Sequence, residues 1–243
     1  MMNAIIIGAS SGIGYEVARQ LLDKGWRLGL AARRTDSLRT LGEAYPGKVV
    51  YASIDVTKDD ASDGLLRLID ELGGMDVYLN VAGVGWQNMS LEADKELRTV
   101  ETNALGFARM VGTAYRWFAE NGGGHIAVLS SIAGTKGLGA APAYSATKAF
   151  DNVYIQALEQ QAHLRHLPIR FTDIRPGFVR TALIDDGRSY PMTMKPEKVA
   201  AAIVRAIVRH RHIAVIDWRW RVLTALWRRV PRRLWRVMPI SNG

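Results

Sequence analysis

Cysteine is absent from the 243-residue chain, which excludes disulfides, thiolate metal sites and cysteine nucleophiles together. Long apolar runs are missing as well. None approaches the roughly 20 residues that cross a bilayer. No basic stretch and apolar core of a secretory leader precede the first apolar run, so a cytoplasmic protein is expected. Internal repeats, low-complexity tracts and linker-like segments are missing, which leaves one domain with a core of its own. Acid is nearly absent from the end. From Arg205 onward there are ten arginines against the single acid Asp217, while the 204 residues before them carry bases and acids in equal number. The net charge of +9 therefore belongs to the last sixth of the chain. A body that is neutral excludes a globally basic nucleic-acid binder and leaves a cationic C-terminus to explain.

What is present is alternation. Short, continuously apolar runs at 4–7, 27–31, 49–54, 77–81, 125–129, 169–174 and 212–216 read as strands buried on both faces. Amphipathic stretches near 12–24, 36–44, 59–72, 97–120, 144–165 and 196–210 read as helices between them. The order predicts an α/β fold, a Rossmann-like doubly wound parallel sheet of about seven strands. Residues 182–195 form the one long irregular stretch. The α/β body is expected over 1–217 and a basic extension over 218–243.

The first run meets Gly8-Ala9-Ser10-Ser11-Gly12-Ile13-Gly14 and then a helix. Glycines let the backbone turn tightly and approach a ligand. The helix start offers free N–H groups to a diphosphate. Gly8, Ser10, Ser11, Gly12, Ile13 and Gly14 are thus candidate cofactor contacts. The second run ends in Ala31-Ala32-Arg33-Arg34. An NAD site would place a carboxylate there for the ribose 2′-hydroxyl. Two guanidiniums suit a 2′-phosphate instead, which predicts NADP(H), with Arg33 as principal contact and Arg34 and Ser10 nearby.

Tyr144-Ser145-Ala146-Thr147-Lys148 sets a phenol and an ammonium one helical turn apart. A cation beside a phenol stabilises its ionised form, so Tyr144 can exchange a proton with a carbonyl oxygen. Ser131 closes the fifth strand at its C-terminal end, where open α/β sheets bind ligands, and its hydroxyl could hold the same oxygen.

Taken in order, these segments resemble the short-chain dehydrogenase/reductase family over residues 3–216. The Gly-x3-Gly-x-Gly spacing matches its turn, although Ile7 stands where the family usually has Thr. The resemblance implies that Asp55, with Val56 beside it, meets the adenine. It implies that Asn80-Val81-Ala82-Gly83 is the family's Asn-Asn-Ala-Gly segment with Val81 in place of the second Asn, which makes Asn80, Ala82 and Gly83 cofactor-side residues. It makes Asn103, Ser131, Tyr144 and Lys148 the catalytic set, with Asn103 tying a water to Lys148 as a proton relay. Tyr144 and Lys148 would also border the nicotinamide ribose. Pro176, Gly177, Val179 and Thr181 would form the loop for the nicotinamide carboxamide. The implied reaction is hydride transfer between NADP(H) and a small-molecule ketone or secondary alcohol. A lipophilic substrate is expected from the tail and from Tyr190, Met192 and Met194. The alternative is an NADP(H)-binding sensor without turnover. A homodimer or homotetramer through helices near 97–120 and 144–165 is also implied.

No metal site is expected. His163 and His166 read as a helix end, and His210 and His212 as solvated polar residues. Residues 218–238 hold seven arginines and four tryptophans. On a helical wheel Val222, Leu223, Leu226, Trp227, Val230, Leu234 and Val237 share one sector, with Arg221, Arg228, Arg232 and Arg236 opposite and Pro231 starting a second helix. Three surfaces compete for such a segment. An anionic membrane surface leads, which would put the protein at the inner face of the membrane. The domain itself or a sister subunit follows, and nucleic acid is the weakest.

Overall fold

The apolar runs become strands because nothing in them can face water. Ala4, Ile5, Ile6 and Ile7 are buried, as are Leu28, Leu30 and Ala31, so both faces of the sheet have to be covered. The computed structural model describes residues 1–184 and 187–240. Asp185 and Asp186 of the irregular stretch, and the last three residues of the extension, lie outside the described residues. Seven strands form one parallel sheet: β1 (Asn3–Ile7), β2 (Arg27–Ala32), β3 (Val49–Ser53), β4 (Val77–Asn80), β5 (Gly124–Leu129), β6 (Ile169–Arg175) and β7 (Ile213–Val215). Their order is β3-β2-β1-β4-β5-β6-β7. The chain first builds outward from β1 to β3, then crosses back and builds from β4 to β7. That reversal opens a crevice at the C-terminal ends of β1 and β4.

Helices α1 (Gly12–Asp23), α2 (Asp36–Ala44) and α7 (Pro196–Val208) cover one face. Helices α3 (Ala61–Leu72), α5 (Phe107–Glu120) and α6 (Pro142–Leu164) cover the other. Proline sits in the first turn of both α6 and α7, where its missing N–H costs nothing.

One helix departs from the expectation. The stretch near 97–120 is not continuous: α4 (Ala93–Val100) leads into a π-wound turn, Glu101–Gly106, before α5. Such turns carry an extra residue and gather at functional sites. Here the turn carries Asn103 to a position only 1% exposed. It also brings Gly106 against β3's exit, where a Cβ would lie 3.0 Å from the Val56 carbonyl oxygen.

After β7 the chain forms α8 (Trp218–Arg229) and, past Pro231, α9 (Arg232–Trp235). No helix among the described residues is long and apolar enough to cross a membrane.

Candidate active site

The glycine turn is built by close approach. Gly8 has φ of 90°, and a Cβ on it would lie 2.6 Å from the Ala82 nitrogen. Val81 and Ala82 both donate to the Ile7 carbonyl, at 2.8 and 2.9 Å, so the exit of β4 lies directly on the turn. Ala82 and Gly83 thus reach the site, while Asn80 accepts a bond from the Tyr78 hydroxyl at 3.0 Å and is buried. Helix α1 starts at Gly12 with no side-chain cap on its N-terminus. The amides of its first turn, at Gly12, Ile13 and Gly14, are the donors a diphosphate takes.

Arg33 and Arg34 stand exposed just past β2. The Ser37 hydroxyl donates to the Ser10 carbonyl at 2.8 Å, which sets the start of α2 beside the turn. Ser37 has no sequence motif to announce it; only the fold brings it there. Burial pushes the Asp55 carboxyl up, but two hydrogen bonds from Thr57 and the nearby Arg33 charge outweigh it and hold it below its ordinary range. The Val56 carbonyl accepts from Arg109 at 2.8 Å.

β5 ends just before Ser130 and Ser131, and α6 carries Tyr144 and Lys148. Ser131, Tyr144 and Lys148 line one cavity of about 710 Å³, which reaches Ile13 of the turn and Gly83. The Ser131 oxygen accepts from the Ala133 amide at 3.1 Å. Ser130 instead donates to buried Asp173, whose other oxygen holds Arg175 at 2.6 Å.

Lys148 is anchored from two sides. Its Nζ donates to the Leu129 carbonyl and to Asp151 Oδ2, both at 2.9 Å. Asp151 is wholly buried, and its Oδ1 has no hydrogen-bond partner. Burial pushes the Asp151 carboxyl up to about 6 against the pull of Lys148. For Lys148 the same burial opposes the charge, but Asp151 and Tyr144 outweigh it and hold the ammonium above its usual range. Asp151 was invisible to sequence reasoning, since an acid three residues past Lys148 looks like ordinary helix surface.

Asn103 is buried on the π turn, and its side chain is fully engaged. Its Oδ1 accepts from the Val84 amide at 2.8 Å, and its Nδ2 donates to the Val84 carbonyl at 2.7 Å and to Thr147 at 3.3 Å. The side chain clamps the β4 exit loop to α6. The same loop holds Gly85, another residue without a sequence signal. A Cβ there would lie 2.4 Å from the Tyr144 ring.

Past β6, the Pro176 carbonyl accepts from Ile132 at 3.1 Å. Val179 pairs with Met194 in an isolated bridge, so Met194 joins the core while Tyr190 and Met192 line the cavity. Thr181 faces the glycine turn: a Cβ on Gly12 would lie 3.0 Å from its methyl carbon. Gln87 reaches across to Tyr190 and Arg188.

The extension closes the other side. Trp220 is 1% exposed and fits against Gly177, where an added Cβ would lie 2.1 Å from the indole nitrogen. Lys136 donates to the Val230 carbonyl at 3.0 Å and Trp235 to the Gly137 carbonyl at 2.7 Å. Trp220, Leu223, Trp227, Pro239 and Ile240 all line the cavity. The expected single apolar sector is therefore split. Leu223 and Trp227 turn inward with Trp220, and Val222 and Leu226 face out.

Among the described residues no group of three or more His, Cys, Asp or Glu is placed to hold a metal ion. His210 is not merely solvated: it bonds Arg170 at 3.0 Å and lies 5.2 Å from the ring of buried His125. His212 meets Glu159 at 2.6 Å. His163 lies in the last turn of α6, with His166 just beyond it.

The profile of the short chain dehydrogenase family matches residues 2–190. An uncharacterized oxidoreductase of Mycobacterium tuberculosis is 33% identical over 243 residues, covering 96% of this chain and 95% of that protein. Another, from Myxococcus xanthus, is 32% identical and covers 97% and 92% respectively. Among solved structures, an alcohol dehydrogenase from the archaeon Thermococcus sibiricus, complexed with 5-hydroxy-NADP, superposes with a TM-score of 0.77 at 26% identity, covering 89% of this chain and 95% of that one. With that sheet, that turn and that pairing of Tyr144 with Lys148, the chain belongs to the short chain dehydrogenase family of oxidoreductases.

Proposed function

We propose that the protein is an NADP(H)-dependent oxidoreductase interconverting a ketone and a secondary alcohol on an extended, apolar substrate. The observation that carries this is the convergence of Ser131, Tyr144 and Lys148 on one cavity beside the glycine turn. The cofactor fits the residues present. The uncapped start of α1 and the backbone of Ser10 and Ser11 suit the diphosphate. Arg33 and Arg34, with Ser10 and Ser37 beside them, suit a 2′-phosphate, and the two positions directly after β2 hold these guanidiniums rather than a carboxylate. Asp55 and Val56 would meet the adenine. Val179 and Thr181 would meet the carboxamide. The T. sibiricus enzyme's NADP analogue is consistent with that choice. When bound, the nicotinamide supplies or accepts the hydride.

The protein's own groups do the rest. Ser131 donates to the substrate oxygen and fixes it. Tyr144 gives that oxygen a proton in reduction and removes it in oxidation. Lys148 keeps a positive charge beside Tyr144, and Asp151 keeps Lys148 charged and in place. Asn103 and Gly85 set the loop against which Tyr144 lies. The walls favour apolar groups: Trp86, Leu138, Leu183, Ile184, Met192 and Trp227 surround the space. Exposed Leu97, Val100, Leu105 and Val153 on α4–α6 offer the surface for pairing with a second subunit.

The test is turnover of a carbonyl panel followed by NADPH absorbance. Tyr144→Phe should bind NADPH as before and lose at least about 10²-fold in rate. An unchanged rate would break the mechanism. Better efficiency with NADH than NADPH would overturn the cofactor assignment.

A further inference from the structure

The C-terminal extension has two faces, and the fold uses one. Trp220, Leu223, Thr224 and Trp227 lie against the domain. Trp218, Val222 and Leu226, four residues apart, line the opposite face of α8. Trp218 is 70% exposed where Trp220 is 1%. Leu234, Val237 and Met238 add exposed apolar surface in and after α9. All seven arginines from Arg219 to Arg236 are exposed around them. Asp217 is the segment's one acid, and Arg219 takes it at 2.6 Å. The other six arginines reach no carboxylate among the described residues. An exposed apolar patch rimmed by charge of one sign marks a binding surface.

We propose that this outer face docks on an anionic lipid bilayer, with the arginines among the headgroup phosphates and Trp218, Val222 and Leu226 at the acyl boundary. The observations favour lipid over the two other occupants. A nucleic acid would need exposed rings for its bases. Trp218 alone of the four tryptophans is exposed, Trp227 and Trp235 being turned on each other with centroids 5.5 Å apart. The aliphatic stripe gives bases nothing to stack on. A second copy meeting through the same face would set two groups of arginines against each other with no free acid between them. Docking would carry the rim formed by Trp227, Pro239 and Ile240 to the bilayer surface. It is read without substrate or cofactor, so it stands apart from the proposed reaction.

The full chain is sedimented with phosphatidylcholine vesicles and with vesicles containing phosphatidylglycerol. Expected is binding to the anionic vesicles only, weakening as salt rises. Arg228→Gln/Arg232→Gln/Arg236→Gln should lower partitioning about a hundredfold, at about fivefold per arginine. Trp218→Ser/Val222→Ser/Leu226→Ser should lower it as well. Both variants change only exposed side chains, and an unchanged melting temperature confirms that they fold. Three results overturn the proposal: no binding to anionic vesicles, equal binding to both kinds, or a serine variant that binds like the parent. A parent that instead retains labelled duplex DNA, or that self-associates through this face without lipid, also overturns it.

Discussion

Gly85 tests the site's geometry more sharply than removing a catalytic group, because it touches no reacting atom. A Cβ at this position would lie 2.4, 2.9 and 3.1 Å from three carbons along one edge of the Tyr144 ring. Non-bonded carbons rest at about 3.5–4.0 Å. Gly85→Ala therefore forces the ring aside by about 1 Å, and the hydroxyl at its far end moves with it. A misplacement of about 1 Å at a reacting group costs about 10²-fold in rate, which is about 2.7 kcal/mol of barrier. The assay is steady-state reduction of the best substrate, with NADPH affinity read separately by fluorescence. The expected variant binds NADPH like the parent, folds like the parent and loses about 10²-fold in kcat. Gly139→Ala is the control, since an added Cβ there meets nothing within 4 Å. A Gly85→Ala enzyme with parental kcat would mean that Tyr144 is not held against this loop during turnover.

Arg33→Ala should raise the KM for NADPH about ten- to a hundredfold, the worth of one or two charge-assisted bonds, and leave NADH kinetics unchanged. Gly177→Ala should unseat Trp220, whose indole lies where the new methyl would go. A loss of about 3 kcal/mol should lower the melting temperature by about 6–12 °C, read by calorimetry. His125 is buried, and burial, with His210 and Arg170 nearby, holds its pKa at about 4. Unfolding frees it to titrate near 6.5, so stability is full above that value and falls as the pH drops toward 4, by about 3 kcal/mol. Urea midpoints at pH 7.5 and 5 measure this, and His125→Gln should flatten the difference. Val153→Glu, on the exposed side of α6, should shift the sedimentation coefficient to that of a single chain; an unchanged coefficient would remove the proposed subunit contact.

The sheet was legible because each strand is apolar throughout and each helix has its own period. Seven runs became seven strands, with no end moved by more than one residue. The π turn at Glu101–Gly106 was not legible, since one extra residue leaves the apolar pattern of a helix almost unchanged. The chemistry written in fixed spacing, Gly8 to Gly14 and Tyr144 to Lys148, could be read in advance. What depends on distant approach could not. Asp151 sits on the same helix as Lys148, but only its complete burial makes it a partner rather than a surface charge. Trp220 lay outside the apolar sector of the wheel, yet it is the deepest residue of the tail. A slot over Gly177, some forty residues earlier, decides that, and periodicity has no access to it.

Helix α8 separates two kinds of heritable change on one short element. Positions 220, 223 and 227 line the cavity, with buried Thr224 on the same inner face, and positions 218, 222, 225 and 226 meet the surroundings. Because the two sets interleave at helical spacing, a substitution alters one and spares the other. A shift of register by two residues, a turn of about 200°, would exchange them. Point mutations can therefore retune what the cavity admits without disturbing the outer face, whereas a small insertion or deletion before Trp218 would scramble both at once.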